Sequence, residues 1–182
     1  MPRLPIDLLQ KRLRTELAMC REELPKYRFE VSDETFSSFP VTIRLTMRGV
    51  PGPVFREGRV TSASTHRFTM KITDEYPYHK PIVIWETPIF HPNIMTPEDG
   101  GFVCTKLLDE WSFGANLLLF IQGLETLLSN PNSENAYISD SCVRAAKYFS
   151  KRVYMPPAII KEKTALRNPK IVSSADPEKD GE

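Results

Sequence analysis

Between Tyr27 and Ile72 apolar side chains recur at every second position in three separate runs, a fourth short apolar run follows from Ile82 to Trp85, and no helical spacing comes between them. The alternating runs are Tyr27, Phe29 and Val31; then Phe39, Val41, Ile43, Leu45 and Met47; then Phe68, Met70 and Ile72. A period of two puts successive side chains on opposite faces of a strand, so each run reads as a half-buried strand. The gaps are rich in Pro, Gly, Ser and Asp, and parallel pairing would need long crossovers, usually helices. The segment therefore predicts a four-stranded antiparallel meander.

Helical spacing flanks this block. From Ile6 to Leu24 apolar residues fall at 6, 9, 13, 17, 20 and 24, one face of a helix that Pro25 stops. Its other face carries Lys11, Arg12, Arg14 and Arg21, a solvated surface or a docking one. Leu117 to Ser129 is apolar on almost every side, which predicts a helix buried against the sheet, and Asn130-Pro131 ends it. A third helix is expected from about Ser141 to Tyr154, with Cys142, Ala145, Phe149 and Val153 on one stripe. The order of elements makes residues 1–155 one α+β domain. Residues 156–182, rich in charge and poor in apolar anchors, read as a flexible C-terminal tail.

The 182 residues carry 24 Lys+Arg against 23 Asp+Glu, and 41% are hydrophobic, as in one ordinary domain with a buried core. No block of like charge forms a basic stripe, so no nucleic-acid partner is expected. Apolar runs never approach membrane-spanning length and the N-terminus lacks a signal-peptide pattern, which predicts a cytoplasmic protein without a membrane partner. Three cysteines at wide spacing, Cys20, Cys104 and Cys142, fit neither a disulfide framework nor a metal site. Cys20 and Cys142 fall on apolar helical stripes and read as core. Cys104 falls in an irregular segment, where a thiol that must be reached by an acyl donor belongs.

That segment, Glu86 to Ala115, has no periodicity, and a stretch of this length inside a compact domain is more often functional than idle. The chain holds 16 prolines against 8 glycines, and seven of the prolines lie between Pro51 and Pro97. Fixed φ angles lower the entropy lost when an irregular segment is ordered. Within it stand His91-Pro92-Asn93, then Gly101-Phe102-Val103-Cys104, then Trp111-Ser112, preceded by Tyr76-Pro77-Tyr78 and Pro81 and followed by Pro131-Asn132.

In these motifs, over roughly residues 6 to 154, the chain resembles the ubiquitin-conjugating enzyme family. The resemblance implies a UBC-like fold and a protein that works as a monomer and needs no cofactor, ATP being used by the activating enzyme. It implies that Cys104 accepts ubiquitin or a ubiquitin-like protein from that enzyme by transthiolation and passes it to a substrate lysine with a RING-type ligase. Asn93 is then the amide donor to the oxyanion of the tetrahedral intermediate, a brace for its loop, or both together. His91 and Pro92 serve the loop's structure, and a Cys-His hydrolase is disfavoured because no orienting partner for a general base is recognisable. Tyr76-Pro77 takes the place of a cis peptide bond.

Three departures from the family pattern stand out. The gap from Asn93 to Cys104 is three residues longer, through Met95-Thr96-Pro97-Glu98-Asp99-Gly100. Asn135 stands where an acidic residue often assists the incoming amine, leaving Glu134, Asp109 or Glu110 to compensate. Phe113 replaces the proline after Trp-Ser. With Tyr78 and Gly114 it maps to the ligase-docking surface, unless these aromatics only cover the core edge. Lys11, Arg12 and Arg14 are the corresponding candidates for the activating enzyme. The alternative to an enzyme is a catalytically silent binding module of the same fold.

Overall fold

The computed structural model describes residues 2–104 and 111–157. Helix α1 (Ile6–Glu23) is followed by strands β1 (Arg28–Val31), β2 (Val41–Arg56), β3 (Arg59–Ile72) and β4 (Ile82–Trp85), a 3-10 turn (Pro97–Asp99), α2 (Leu117–Ser129) and α3 (Asp140–Phe149). The strands lie in the order β1-β2-β3-β4 and every pair is antiparallel. The meander and the α+β order are those the sequence predicts.

One face of the sheet is buried. Val41, Ile43, Leu45 and Met47 of β2, Phe68, Met70 and Ile72 of β3, and Val83 and Trp85 of β4 join Leu9, Leu13, Leu17 and Cys20 of α1 in a single core. Six α2 residues, including Phe120, Ile121 and Leu124, close it. Asn116 caps α2 by accepting from the Leu119 N–H (2.9 Å), and Ser139 caps α3 by accepting from that of Cys142 (3.3 Å). Cys20 and Cys142 are both fully buried, as their stripes indicate, and burial pushes the Cys20 thiol up to about 12.

Two elements differ from expectation. Each strand of the β2–β3 hairpin runs nine residues further than the alternation suggests, from Met47 to Arg56 and from Phe68 back to Arg59, to a tight turn at Glu57 and Gly58, both at positive φ. Pro51, Gly52 and Pro53 hide it in the sequence: the register shifts between Arg48 and Gly52, and a bulge of this kind breaks the period of two. Helix α3 stops at Phe149, not Tyr154. Tyr154 shares a hydrogen bond with the Ser62 hydroxyl on β3 (2.6 Å), a position reached only by leaving the helical path, and Val153 is exposed instead of on the stripe. The expected tail lies, beyond residue 157, outside the described residues. Tyr76-Pro77 is cis, and so is Phe39-Pro40, which the sequence did not indicate.

Candidate active site

The irregular segment is a short, side-on hairpin. Ile94 bridges Val103, the Met95 N–H bonds the Phe102 carbonyl (2.9 Å), and the Cys104 N–H bonds the Asn93 carbonyl (2.8 Å). The long gap between Asn93 and Cys104 is thereby expelled to the hairpin tip. There Pro97–Asp99 make one 3-10 turn, closed by Gly100 at φ 104 and by a bond from the Gly101 N–H to the Thr96 carbonyl (3.0 Å). Extra residues at a tip leave the pairing at the base unchanged, so Cys104 stays directly opposite Asn93. The tip is pinned to α3, where Asp99 Oδ2 accepts from the Ser141 N–H (3.1 Å), and hydrogen bonding from the Ser141 side chain first and this N–H second holds the Asp99 carboxyl below its ordinary range.

Gly101 locks the hairpin against the sheet. Its carbonyl accepts from the Trp85 N–H (2.7 Å), and a Cβ at its position would lie 2.3 Å from the Trp85 carbonyl oxygen. With φ at +68°, only glycine fits both demands.

His91 is buried and makes two bonds that fix its tautomer: Nε2–H donates to the Leu127 carbonyl at the end of α2 (3.0 Å), and Nδ1 accepts from the Asn93 N–H (3.0 Å). Burial pushes its pKa down to about 3, so the ring is neutral and tied up at both nitrogens. It ties the loop to α2 and is no general base. The Pro92 carbonyl accepts from the Tyr137 N–H (2.8 Å).

Asn93 is fully buried, and its amide spans to the loop after α2. Nδ2 donates to the carbonyls of Asn132 (3.1 Å) and Asn135 (2.8 Å), and Oδ1 accepts from the Asn132 N–H (2.9 Å). Both amide hydrogens are committed. Of the two roles open to Asn93, this geometry is the brace, and an oxyanion would have to displace one of these carbonyls. Asn135 meets the site through its backbone, while its side chain and that of Glu134 face solvent. Glu134 is held by its N–H on Asn132 Oδ1 (3.0 Å). Asp109 and Glu110 lie outside the described residues.

Cys104 lies outside helix and strand, but with 8% of its surface accessible it is less open than a loop nucleophile was expected to be. The pairing to Asn93 that positions it also tucks it against the core. It remains the most accessible of the three cysteines, the other two being at 0%.

The docking candidates converge. The rings of Tyr78 and Phe113 are 5.4 Å apart and both are exposed. Phe113 also lies under the Arg12 guanidinium (5.1 Å), and Gly114 shares a shallow groove with Lys11 and Met19 of α1. Arg12 is not an open docking side chain. It donates from Nη2 to the carbonyls of Phe113 (2.9 Å) and Ala115 (2.7 Å), and from Nε to Glu16 (2.7 Å), because it bridges α1 to the loop preceding α2. Lys11 and Arg14 are exposed, and Arg14 donates to the Thr35 carbonyl (3.0 Å).

Glu16, which the sequence reading did not single out, is the buried centre of this bridge. It also accepts from the Tyr76 hydroxyl and from the Leu117 N–H (2.9 Å) at the start of α2. The signal available was a carboxylate adjoining an apolar stripe, four residues after Arg12. Among the described residues no cluster of three or more potential ligands could hold a metal, and no helix is long and apolar enough to cross a membrane.

Residues 12–154 match the sequence pattern of a family described as ubiquitin-conjugating enzyme. The SUMO-conjugating enzyme UBC9 of Caenorhabditis elegans is 31% identical over 111 residues, 57% of this chain and 63% of that protein. The NEDD8-conjugating enzyme Ubc12 of Dictyostelium discoideum is 35% identical over 80 residues, 43% of this chain and 34% of that protein. The chain thus spans less than two thirds of the length of these curated relatives. Among solved structures, S. cerevisiae Ubc12 shares the fold at a TM-score of 0.57 and 23% identity, covering 78% of this chain and 71% of that one.

Proposed function

The chain belongs to the ubiquitin-conjugating enzyme family, and from that premise we propose that it carries a ubiquitin-like protein as a thioester on Cys104 and transfers it to a substrate lysine. The observation that carries this reading is the hydrogen bond from Cys104 N–H to the Asn93 carbonyl, which seats a non-helical thiol beside a braced, water-poor loop. In the first step the Cys104 thiolate attacks the thioester carbonyl of the charged activating enzyme, whose cysteine leaves as a thiolate. In the second, the lysine amine attacks the new thioester, loses a proton and expels Cys104. Each step exchanges one acyl bond for another, so the chain itself uses no ATP.

His91, neutral and fully bonded, takes no proton in either step, and the amine's proton goes to solvent or to an exposed carboxylate such as Glu134. Asn93 acts through the loop it braces. The groove lined by Lys11, Met19 and Gly114, whose Arg12 lies over the Phe113 ring that pairs with Tyr78, serves the activating enzyme and a RING-type ligase in turn. The protein acts as a monomer in the cytoplasm, whose reducing conditions keep the thiol available. The relatives' names include SUMO and NEDD8 carriers, so the modifier is identified by assay.

Incubation with ATP and each of ubiquitin, SUMO and NEDD8, with its own activating enzyme, is expected to give one thiol-sensitive adduct on a non-reducing gel. The adduct persists in Cys20→Ala and disappears in Cys104→Ala. No adduct with any of the three, when each activating enzyme is itself charged, sinks the enzyme reading in favour of a silent binding module, a reading that the 8% accessibility of Cys104 favours.

A further inference from the structure

The end of the molecule where the β2–β3 hairpin meets α3 carries a cavity of about 370 Å3 that the conjugation site does not use. Its floor is aromatic: the Phe55 and Phe90 rings are 5.4 Å apart, Phe90 lies 5.7 Å from Tyr148, and Phe55 is half exposed. Its rim is cationic, made of Arg144, Lys147, Lys151 and Arg152. Residues 144–152 contain these four cations and no acid. None of the four is in an ion pair with a described acidic residue. Arg144, one turn into α3, helps to lower the pKa of Asp99 at the start of that helix but forms no ion pair with it. Two guanidinium groups are laid on ring faces, Arg144 over Phe90 (5.9 Å) and Arg152 over Tyr148 (4.7 Å). Such stacking orients a guanidinium while leaving its N–H edge available to a carboxylate.

We propose that this pocket docks the acidic segment 176–182 of the same chain, with Ile171 and Val172 placed on the aromatic floor. Pocket and segment are chemically complementary. Asp176, Glu178, Asp180 and Glu182 against Lys179 give that segment a charge of 1 − 4 = −3, the densest acidic stretch of the sequence, with two β-branched residues just before it. Pro157, the last described residue, follows Met155, which lines the adjoining cavity together with Tyr148 and Arg152. The 14 residues from Pro157 to Ile171 reach at most about 50 Å, ample for the distance. A segment tethered this way has a local concentration of the order of 1 mM, so a weak site is occupied. Because Phe90 precedes His91, the docked segment sits one residue from the active-site loop, and any acidic partner for this surface must displace it.

The test uses the full chain by NMR, comparing it with the variant Asp176→Asn, Glu178→Gln, Asp180→Asn, Glu182→Gln. Shift differences are expected at Phe90, Tyr148 and the Arg144 and Arg152 Nε–H groups, independent of protein concentration. They collapse as salt rises from about 0.05 to 0.5 M. They are also absent when Arg144→Glu and Lys151→Glu are introduced into both chains. A synthetic peptide of residues 168–182, added to the neutralised variant, restores the native shifts with Kd of about 1 mM or tighter. Identical spectra at the pocket overturn the proposal, as do differences confined to residues 161–170, whose own basic residues are the competing site. Concentration-dependent shifts overturn it in favour of a second copy. The conjugation assay is unaffected by which result is obtained.

Discussion

Asn93 shows how a single buried side chain can be asked to do two jobs and be built for one. Its Oδ1 and both Nδ2 hydrogens meet backbone groups of Asn132 and Asn135, so removing it strands two carbonyls and one N–H in a part-buried site. Asn93→Ala is expected to lower stability by about 2–4 kcal/mol, measured by urea unfolding, since each stranded buried group costs about 1–3 kcal/mol. An asparagine that served only as an oxyanion donor would leave stability unchanged. Asn93→Asp keeps one acceptor but faces the two carbonyls with a carboxylate, and it should unfold at lower urea than Asn93→Ala does.

At the scale of elements, the pairing of residues 93–95 with 102–104 decides the site. Gly101 fixes that hairpin to β4, and Gly101→Ala brings a Cβ to 2.3 Å from the Trp85 carbonyl oxygen at a positive φ. A loss of about 3 kcal/mol follows from the overlap and the backbone strain, read from the unfolding midpoint. The insertion at the tip is a different matter. Deleting three residues of the Thr96–Gly100 excursion and closing it with a tight turn should leave thioester formation on Cys104 intact, because the pairing at the hairpin's base is untouched. Glu16 joins α1, the loop after β3 and the first N–H of α2. Glu16→Gln retains shape but loses the charge that faces Arg12 and half its acceptor capacity. We expect a loss of about 2 kcal/mol and a less protected α2 N-terminus by hydrogen exchange.

The molecule as a whole carries an acid sensitivity that its composition does not show. His91 titrates near 6.5 when unfolded and near 3 when folded, and His66, also buried, is shifted in the same direction by desolvation. Below pH 6.5 the unfolded chain binds more protons than the folded one. Stability is therefore full above about pH 6.5 and declines as pH falls towards 3, His91 alone contributing of the order of 4 kcal/mol across that window. The urea midpoint should fall between pH 7.5 and 5.5, where carboxylates still hold their charge, and His91→Gln should flatten the fall without abolishing it.

Much of this architecture is written locally. The four-strand meander follows from alternation, α1 from its stripe and proline stop, α2 from its all-round apolarity, and the separation of Cys104 from Cys20 and Cys142 from which of them share a stripe with core residues. These depend on neighbours two to four positions apart, and local periodicity records such relations. The hairpin beyond Met47 is not legible locally, because the bulge at Arg48/Gly52 interrupts the period. Gly52 is itself explained only in three dimensions, by the Leu128 side chain that occupies the space its Cβ would need.

What the sequence determined by itself is the fold class, the family and which cysteine stands beside the His-Pro-Asn turn. Tertiary structure alone decided that Asn93 spends its amide on the loop after α2, that Arg12 is a strut and Glu16 a hub, that α3 yields Tyr154 to Ser62, and that Cys104 is largely covered. The physical reason is range: hydrogen bonds such as Asn93 to Asn135 and Glu16 to Leu117 close over 42 and 101 residues of chain. A buried polar group takes whichever partner the packing brings to it, and no local pattern of residues specifies which one that will be.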